Sequence, residues 1–217
     1  MAGNRDEFHA RTASPLGVWV DEPSIIAGRD MLSQGTWMGV SSTGRFGVVT
    51  NVRNPGGPDP QKESRGALVT NWLAEAQVPD KMDRFNPFNL LIGDQKGVQF
   101  VSNRPTDLSV LIDDGIHGMS NAVMDEHWPR KDRLNLEIEN WLHGQADDPV
   151  DLFNVLIDTR SKDDDDHPVF IRNPVYGTRC STILAVGHDG CGRIIERRFD
   201  ADGNPAGESA VAFHWPA

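Results

Sequence analysis

The sequence has little positive charge and no long apolar run. Its 217 residues include 21 Lys and Arg against 32 Asp and Glu, which gives a formal net charge of −11. Because nucleic acid is a polyanion, a chain with this balance and no extended basic cluster is not expected to bind it. No apolar run approaches the roughly 20 residues that a spanning helix needs, so we expect no membrane span.

Cysteine is scarce as well, and the only two are Cys180 and Cys191. The turn signal Gly187-His188-Asp189-Gly190 predicts a hairpin that places Cys191 opposite a residue near Val186 and Cys180 opposite one near Arg197. At about 3.3 Å per residue the sulfurs would lie roughly 20 Å apart, beyond disulfide reach. We therefore expect free thiols. Since the start of the sequence also lacks a secretory signal, we predict a cytoplasmic location.

Metal-binding and serine-hydrolase patterns are absent from the sequence. The seven histidines include no pair at the i, i+3 or i, i+4 spacing of a helical zinc site, and neither Cys-x-x-Cys-His nor Gly-x-Ser-x-Gly occurs. The acidic run Asp163-Asp164-Asp165-Asp166 lacks the ligand spacing and glycine of a calcium loop, so it predicts a solvated loop. We predict no metal site and no bound cofactor.

Hydrophobic patterning predicts one α+β domain over residues 1–217. The expected strands cover 36–40, 45–52, 90–92, 98–101, 109–112, 181–186, 193–199 and 209–213, and the expected helices cover 65–77, 131–143 and 150–157. Hairpins with helices inserted as blocks fit two stacked sheets that are covered by helices on the outside.

Short motifs run through the chain in a fixed order. The chain opens with Asn4-Arg5-Asp6-Glu7 and continues through two glycine turns, Gly28-Arg29-Asp30 and Gly35-Thr36-Trp37. The later motifs are Thr50-Asn51, Ser64-Arg65-Gly66, Phe88-Asn89-Leu90-Leu91-Ile92-Gly93-Asp94, Ser102-Asn103-Arg104, Gly118-Met119-Ser120-Asn121 and Tyr176-Gly177-Thr178-Arg179. In this order the motifs resemble the NRDE family, also called the transport and Golgi organisation protein 2 family.

The resemblance implies the αββα fold of N-terminal-nucleophile hydrolases, a sandwich of two stacked, mainly antiparallel sheets. In that pattern the nucleophile is a Cys that opens a first strand, and a second strand delivers the Asn-Arg-Asp-Glu motif. This sequence opens with Met1-Ala2-Gly3 directly before Asn4. We therefore expect the first strand and its Cys to be missing, so that the chain as given is truncated relative to the family and lacks the nucleophile.

The resemblance also implies catalytic residues. In related amidases an Asn-x-Asp on the second strand faces the nucleophile, which implies Asn4 and Asp6, with Arg5 beside the thiolate or a substrate carboxylate. Strand alternation places Asn4 and Asp6 on one face and Arg5 on the other. An alternative for Arg5 and Glu7 is a salt-linked strand end that joins the two sheets.

Donors to a developing oxyanion and substrate contacts complete the candidate site. Asn51 and Asn121 lie in segments that supply amide donors in the related amidases. Arg179 begins a strand that we expect to be central, where an unpaired guanidinium would be costly, so it should face a cleft or a carboxylate. Arg29 and Trp37, in the two glycine motifs, are further candidates for substrate binding.

Two functions of different class follow from these residues and the resemblance. The first is a metabolite-binding cleft, with haem, coenzyme A or lipid trafficking and, in eukaryotic relatives, secretion and Golgi organisation. The second is an amide or thioester hydrolase or acyltransferase with an N-terminal Cys, if the natural chain is longer. Under both, the expected partner is a small molecule such as haem or an acyl-CoA-like metabolite, and enzymatic activity stays open.

Overall fold

The computed structural model describes residues 1–122, 124, 126–144, 148–160 and 168–216; the run Asp163 to Asp166 lies outside them. The strands are β1 (Ala2–Phe8), β2 (Ala13–Val18), β3 (Ile25–Asp30), β4 (Met38–Ser41), β5 (Arg45–Asn51), β6 (Phe88–Asp94), β7 (Gly97–Ser102), β8 (Leu108–Ile112), β9 (Tyr176–Val186), β10 (Cys191–Phe199) and β11 (Pro205–His214). The helices are α1 (Gly66–Glu75), α2 (Pro129–His143) and α3 (Phe153–Leu156), with 3₁₀ turns at Met82–Arg84 and Pro149–Leu152.

These strands form two antiparallel sheets. Sheet A has the order β1-β9-β10-β11, and sheet B has the order β2-β3-β4-β5-β6-β7-β8. Sheet B is a meander in which each strand pairs with its neighbour in sequence, an arrangement that short turns allow. In sheet A, β1 pairs with β9 although the first residue pair, Ala2 and Ile183, is 181 positions apart in the chain and the last, Phe8 and Tyr176, is 168 apart. The opening motif is therefore positioned by the C-terminal third of the sequence.

Apolar contacts divide the molecule into four layers. Ile26 and Val40 of sheet B pack against Leu184 and Ile194 of sheet A and form the core between the sheets. The buried face of α1 covers the outer face of sheet B, and α3 covers the outer face of sheet A around Leu156. The αββα arrangement of two stacked, mainly antiparallel sheets is thus confirmed. Within the described chain, no helix is both long and apolar enough to cross a bilayer.

The structure corrects two local expectations. Gly28-Arg29-Asp30, predicted as a turn, lies inside β3. The glycine is required there because a Cβ at position 28 would stand 2.6 Å from the Trp37 ring, and only glycine leaves room for that indole. The helix predicted over 150–157 is a 3₁₀ turn from Pro149 followed by the single turn of α3. The hairpin predicted after Val186 is confirmed, since Gly192 pairs with Val186 and Arg198 with Cys180. The two cysteines therefore lie far apart along the hairpin, and both are free thiols as expected.

A second glycine contact brings the start of α1 against sheet B. A Cβ on Gly35 would lie 2.6 Å from the carbonyl carbon of Gly66, the first residue of α1. The Thr36 amide also donates to the Gly66 oxygen at 3.4 Å. Two of the motifs therefore form one backbone contact, which places Arg65 beside the loop that leads to Trp37.

This contact predicts that Gly35→Ala destabilises the protein by about 1–3 kcal/mol, because the added methyl meets backbone atoms that cannot rotate away. Gly17→Ala is the matched control, since a Cβ at Gly17 has no atom within 4 Å. Urea denaturation of the two variants and the wild type measures the difference. Equal midpoints for the Gly35 and Gly17 variants would show that the Gly35–Gly66 approach is not tight in solution.

Candidate functional site

A β-bulge in the pairing of β1 with β9 positions the residues of the opening motif. Arg5 lies opposite Cys180 but Asp6 lies opposite Thr178, so Arg179 is an extra residue in β9. The bulge turns Thr178 to the face that carries Asp6, and the Thr178 hydroxyl donates to Asp6 Oδ1 at 2.7 Å. The Asp6 carboxylate is thereby held at the end of sheet A.

Asn4 lies on the same face of β1 as Asp6, towards α3. Its Nδ2 donates to the carbonyl oxygens of Leu156 at 2.8 Å and Val169 at 2.9 Å, and its Oδ1 accepts from Ser181 Oγ at 2.6 Å. Both hydrogens and the oxygen of the Asn4 side-chain amide are therefore hydrogen-bonded, and they hold the segments around α3 to sheet A. In this geometry Asn4 supports the site and has no free donor to offer to a substrate.

A chain of polar contacts joins Asp6 to the end of sheet B. Arg130 of α2 lies with Nη1 3.5 Å from Asp6 Oδ2, and its Nη2 donates to Asn121 Oδ1 at 2.9 Å. The Asn121 Nδ2 donates to the backbone oxygen of Asn51 at 2.8 Å. Three predicted site residues, Asp6, Asn121 and Asn51, therefore meet through Arg130, which the sequence analysis did not include.

Burial controls the protonation of Asp6 and its neighbour Tyr176. The Asp6 side chain is 13% exposed. Burial raises the pKa of its carboxyl, outweighing the Thr178 hydrogen bond and the charges of Arg130 and Arg5, which lower it. The Tyr176 hydroxyl donates to the Asp6 backbone oxygen at 3.1 Å, and burial together with the Asp6 charge raises its pKa to about 12. Tyr176 is therefore a permanent donor at neutral pH.

Arg5 points to the opposite face of β1, into the space between the sheets. Its guanidinium lies 4.3 Å from the centre of the Trp37 ring, 3.6 Å from Asp30 Oδ2 and 3.8 Å from Glu7 Oε2. The alternation predicted for the opening motif is confirmed by these contacts and by those of Asn4. Because Asp30 belongs to β3, Arg5 also links sheet A to sheet B.

The other two predicted arginines are held by protein groups. Arg179 Nη1 donates to the His9 oxygen at 2.7 Å, and its buried Nε has no partner among the described residues. Arg29 pairs with both oxygens of Asp21 at 2.7 and 2.9 Å and lies over the Trp19 ring. Since Arg29 follows Gly28 along β3, its side chain lies on the face of sheet B turned away from Arg5. The structure does not bring Arg29 to the Asp6 cluster.

Neither cysteine lies beside Asp6. Cys180 is buried on the face of sheet A that carries Arg5, and burial together with the Glu196 charge raises the pKa of its thiol. Cys191 is exposed at the opposite end of sheet A. A surface groove of about 640 Å³ also lies at that far end, and no residue of the Asp6 cluster lines it. In the described part of the chain, no group of three His, Cys, Asp or Glu side chains could hold a metal ion.

The four layers, with a polar cluster at one end of the sandwich, define an N-terminal-nucleophile-hydrolase-like fold. The chain is similar to the solved structure of the Caenorhabditis elegans N-acylethanolamine-hydrolyzing acid amidase (NAAA) ortholog, with a TM-score of 0.50 and 12% sequence identity. The match covers 83% of this chain and 85% of the amidase. At this identity the likeness establishes the fold alone.

Sequence relatives define the family within that fold. The model of the family Transport and Golgi organisation 2 matches residues 1–201. The chain is 28% identical over 235 residues to the human Transport and Golgi organization protein 2 homolog, covering 91% of this chain and 85% of the relative. The mouse homolog is 27% identical over 237 residues, with the same coverage. The chain belongs to the Transport and Golgi organisation 2 family, and the resemblance drawn from the motifs is confirmed.

The raised pKa of Asp6 predicts a specific pH dependence of stability. A carboxyl whose pKa is raised on folding stabilises the protein fully below about 3.8, its unfolded value, and this contribution is lost as pH rises through the folded pKa. Because asparagine does not titrate, the melting temperature of Asp6→Asn should rise relative to that of wild type between pH 4 and pH 7. Thermal melts of both proteins across this range measure the effect.

Asp30→Asn is the control, because its stability relative to wild type should change with pH in the opposite direction. Burial alone would raise the pKa of Asp30, but hydrogen bonds from the Ser33 amide, Arg11 and the Leu32 amide lower it below 3.8. The ionised form of Asp30 therefore stabilises the fold above that pH, and the advantage of wild type over this variant should shrink as pH falls through the lowered pKa. A pH-independent difference between wild type and Asp6→Asn would contradict the assignment of Asp6.

Proposed function

We propose that the chain binds a small metabolite at the polar cluster formed by Asp6, Tyr176, Arg130 and Asn121. The observation that carries this proposal is the Asp6 carboxyl. Burial raises the pKa of this carboxyl, although the Thr178 hydroxyl lies 2.7 Å and Arg130 Nη1 3.5 Å from its oxygens. Strongly perturbed acids among convergent donors are typical of binding and catalytic sites.

Family membership supports two candidate ligands, haem and coenzyme A or an acyl derivative. Haem carries carboxylates and coenzyme A carries phosphates, and the guanidinium group of Arg130 is suited to both. The curated relatives are named for transport and Golgi organisation. Trafficking of a bound metabolite in the cytoplasm is the corresponding role for this chain.

Arg130→Gln tests the proposal, because Arg130 connects Asp6 to Asn121. Haem is titrated by its Soret band, and coenzyme A and palmitoyl-CoA by thermal melting. A ligand at a hundredfold excess over its dissociation constant should stabilise the wild type by roughly 2.7 kcal/mol. We expect one of these ligands to bind the wild type and to lose at least tenfold in affinity for the variant. Arg160→Gln, a surface arginine paired with Asp158, is the control and should bind as wild type does.

Two outcomes would contradict metabolite binding at Asp6. One is that haem, coenzyme A and palmitoyl-CoA all leave the spectrum and the melting temperature unchanged. The other is that a ligand binds the Arg130→Gln and Arg160→Gln variants equally, which would place its site elsewhere.

Hydrolysis of, or acyl transfer from, an amide or thioester is the second candidate function. The solved structure with the shared fold is an amidase, and in this chain the Asp6 carboxylate accepts from Thr178 at the end of sheet A. The reaction requires an N-terminal Cys as nucleophile and its own amine as base. Asp6 would hold that amine, and Asn121 would serve the oxyanion.

The N-terminal sequence and intact mass of the protein from its natural source test this second function. A chain that begins with Cys supports it, and in that form Asp6→Asn should lower kcat more than KM. A natural chain that begins at Met1 or Ala2 would overturn it, because no described thiol lies beside Asp6.

A further inference from the structure

Two guanidinium groups, those of Arg5 and Arg11, share two carboxylates beside the Asp6 cluster, and a third, Arg65, lies near them at the start of α1. Arg11 Nε lies 2.5 Å from Asp30 Oδ2, and Arg5 Nη2 lies 3.6 Å from the same oxygen. Glu7 Oε2 is likewise shared, at 3.7 Å from Arg11 and 3.8 Å from Arg5. Both acids are therefore already committed to Arg5 and Arg11.

The third guanidinium, Arg65, has no carboxylate partner. Among the described residues none lies within 4.0 Å of it, and its Nη1 donates only to the backbone oxygen of Pro87 at 3.0 Å. Burial and the neighbouring charge of Arg11 lower the pKa of Arg65, and Glu7 opposes the shift only weakly. Arg65 is half-buried, so its remaining donors are open to a ligand.

The cluster is thus locally positive in a chain whose net charge is −11. A partly buried guanidinium without a counter-ion is costly, and an anion that bridges it and Arg11 would remove that cost. The planar donors of arginine match the paired oxygens of a carboxylate or a phosphate. The Trp37 ring that covers Arg5 would form an apolar wall beside such a group.

We propose that Arg65, together with Arg11, binds a carboxylate or phosphate group of the ligand. The proposal rests on metabolite binding at Asp6 and adds the ligand's chemical class. The ligand is an organic anion whose acidic group lies at Arg65, beside the start of α1, and whose remainder reaches the Asp6 cluster. From the sequence, Arg65 was noted only as part of the motif Ser64-Arg65-Gly66, and Arg11 was not noted at all.

Three small probes with the same tail test the subsite: butyrate, n-butyl phosphate and butanol, each titrated at constant ionic strength and followed by thermal melting. We expect a saturable rise in melting temperature with one or both anions and none with butanol. The more effective anion identifies the acidic group as carboxylate or phosphate. Arg65→Gln should weaken the response at least tenfold. Arg84→Gln is the control, since Arg84 is exposed and paired with Glu63, and should respond as wild type does.

A second measurement uses the unaltered protein, in case Arg65→Gln impairs folding. Phenylglyoxal modifies arginines, and peptide mass mapping follows each site. The effective anion should slow modification of Arg65 and leave that of Arg84 unchanged. Equal rates at Arg65 with and without anion, or equal thermal responses of the Arg65 and Arg84 variants, would overturn the subsite.

The two proposals fail separately. Arg130→Gln should retain the response to the small anions, because Arg130 lies on the Asp6 side of β1. A haem or acyl-CoA site that depends on Arg130 but not on Arg65 would overturn the anion subsite alone. A small-anion response that depends on Arg65, in a protein that binds neither haem nor acyl-CoA, would support the subsite and overturn those two ligands.

Discussion

Arg5 carries a positive charge from one sheet into contact with the other. Its side chain is only 9% exposed and its guanidinium lies against Trp37 and near Asp30, both from the sheet B side. A charge buried to this degree is tolerated only where partners surround it, so the relative position of the sheets at this end is tied to these contacts. The glycine at position 28 follows from the same constraint, because the Trp37 ring fills the space of its side chain.

Much of the fold could be predicted from the residue pattern. Alternating apolar residues correctly marked the β4–β5, β6–β7 and β9–β10 hairpins, because the strands of both sheets pack their apolar side chains into the cores between the layers. The pattern failed at Gly28, since a glycine beside polar residues usually marks a turn, and here it serves a close side-chain contact inside a strand. It failed again after Pro149, where apolar spacing suits a helix but the chain forms two short turns.

The candidate site was predictable only in part. Asp6, Asn51 and Asn121 were selected from their motifs, and they do meet. Their connection through Arg130 could not be predicted from the sequence, because Arg130 and Asp6 are 124 positions apart and their contact depends on the packing of α2. The family motifs did include Thr178 and Arg65. A motif does not reveal that a β-bulge turns Thr178 towards Asp6, or that Arg65 has no carboxylate partner among the described residues.

The bulge at Arg179 separates two chemical environments along a single strand. By strict alternation Thr178 would share a face with Cys180, between the sheets; the extra residue transfers its hydroxyl to the outer face, where it meets Asp6. The pair of Asp6 and Arg130 on the outer face and the cluster of Arg5, Glu7 and Asp30 between the sheets consequently belong to different layers of the molecule. An insertion or deletion near this position would move the neighbouring side chains of β9 to the opposite face of sheet A without changing any residue of the motif itself. The length of β9 therefore determines the chemistry of the two faces as much as its composition does.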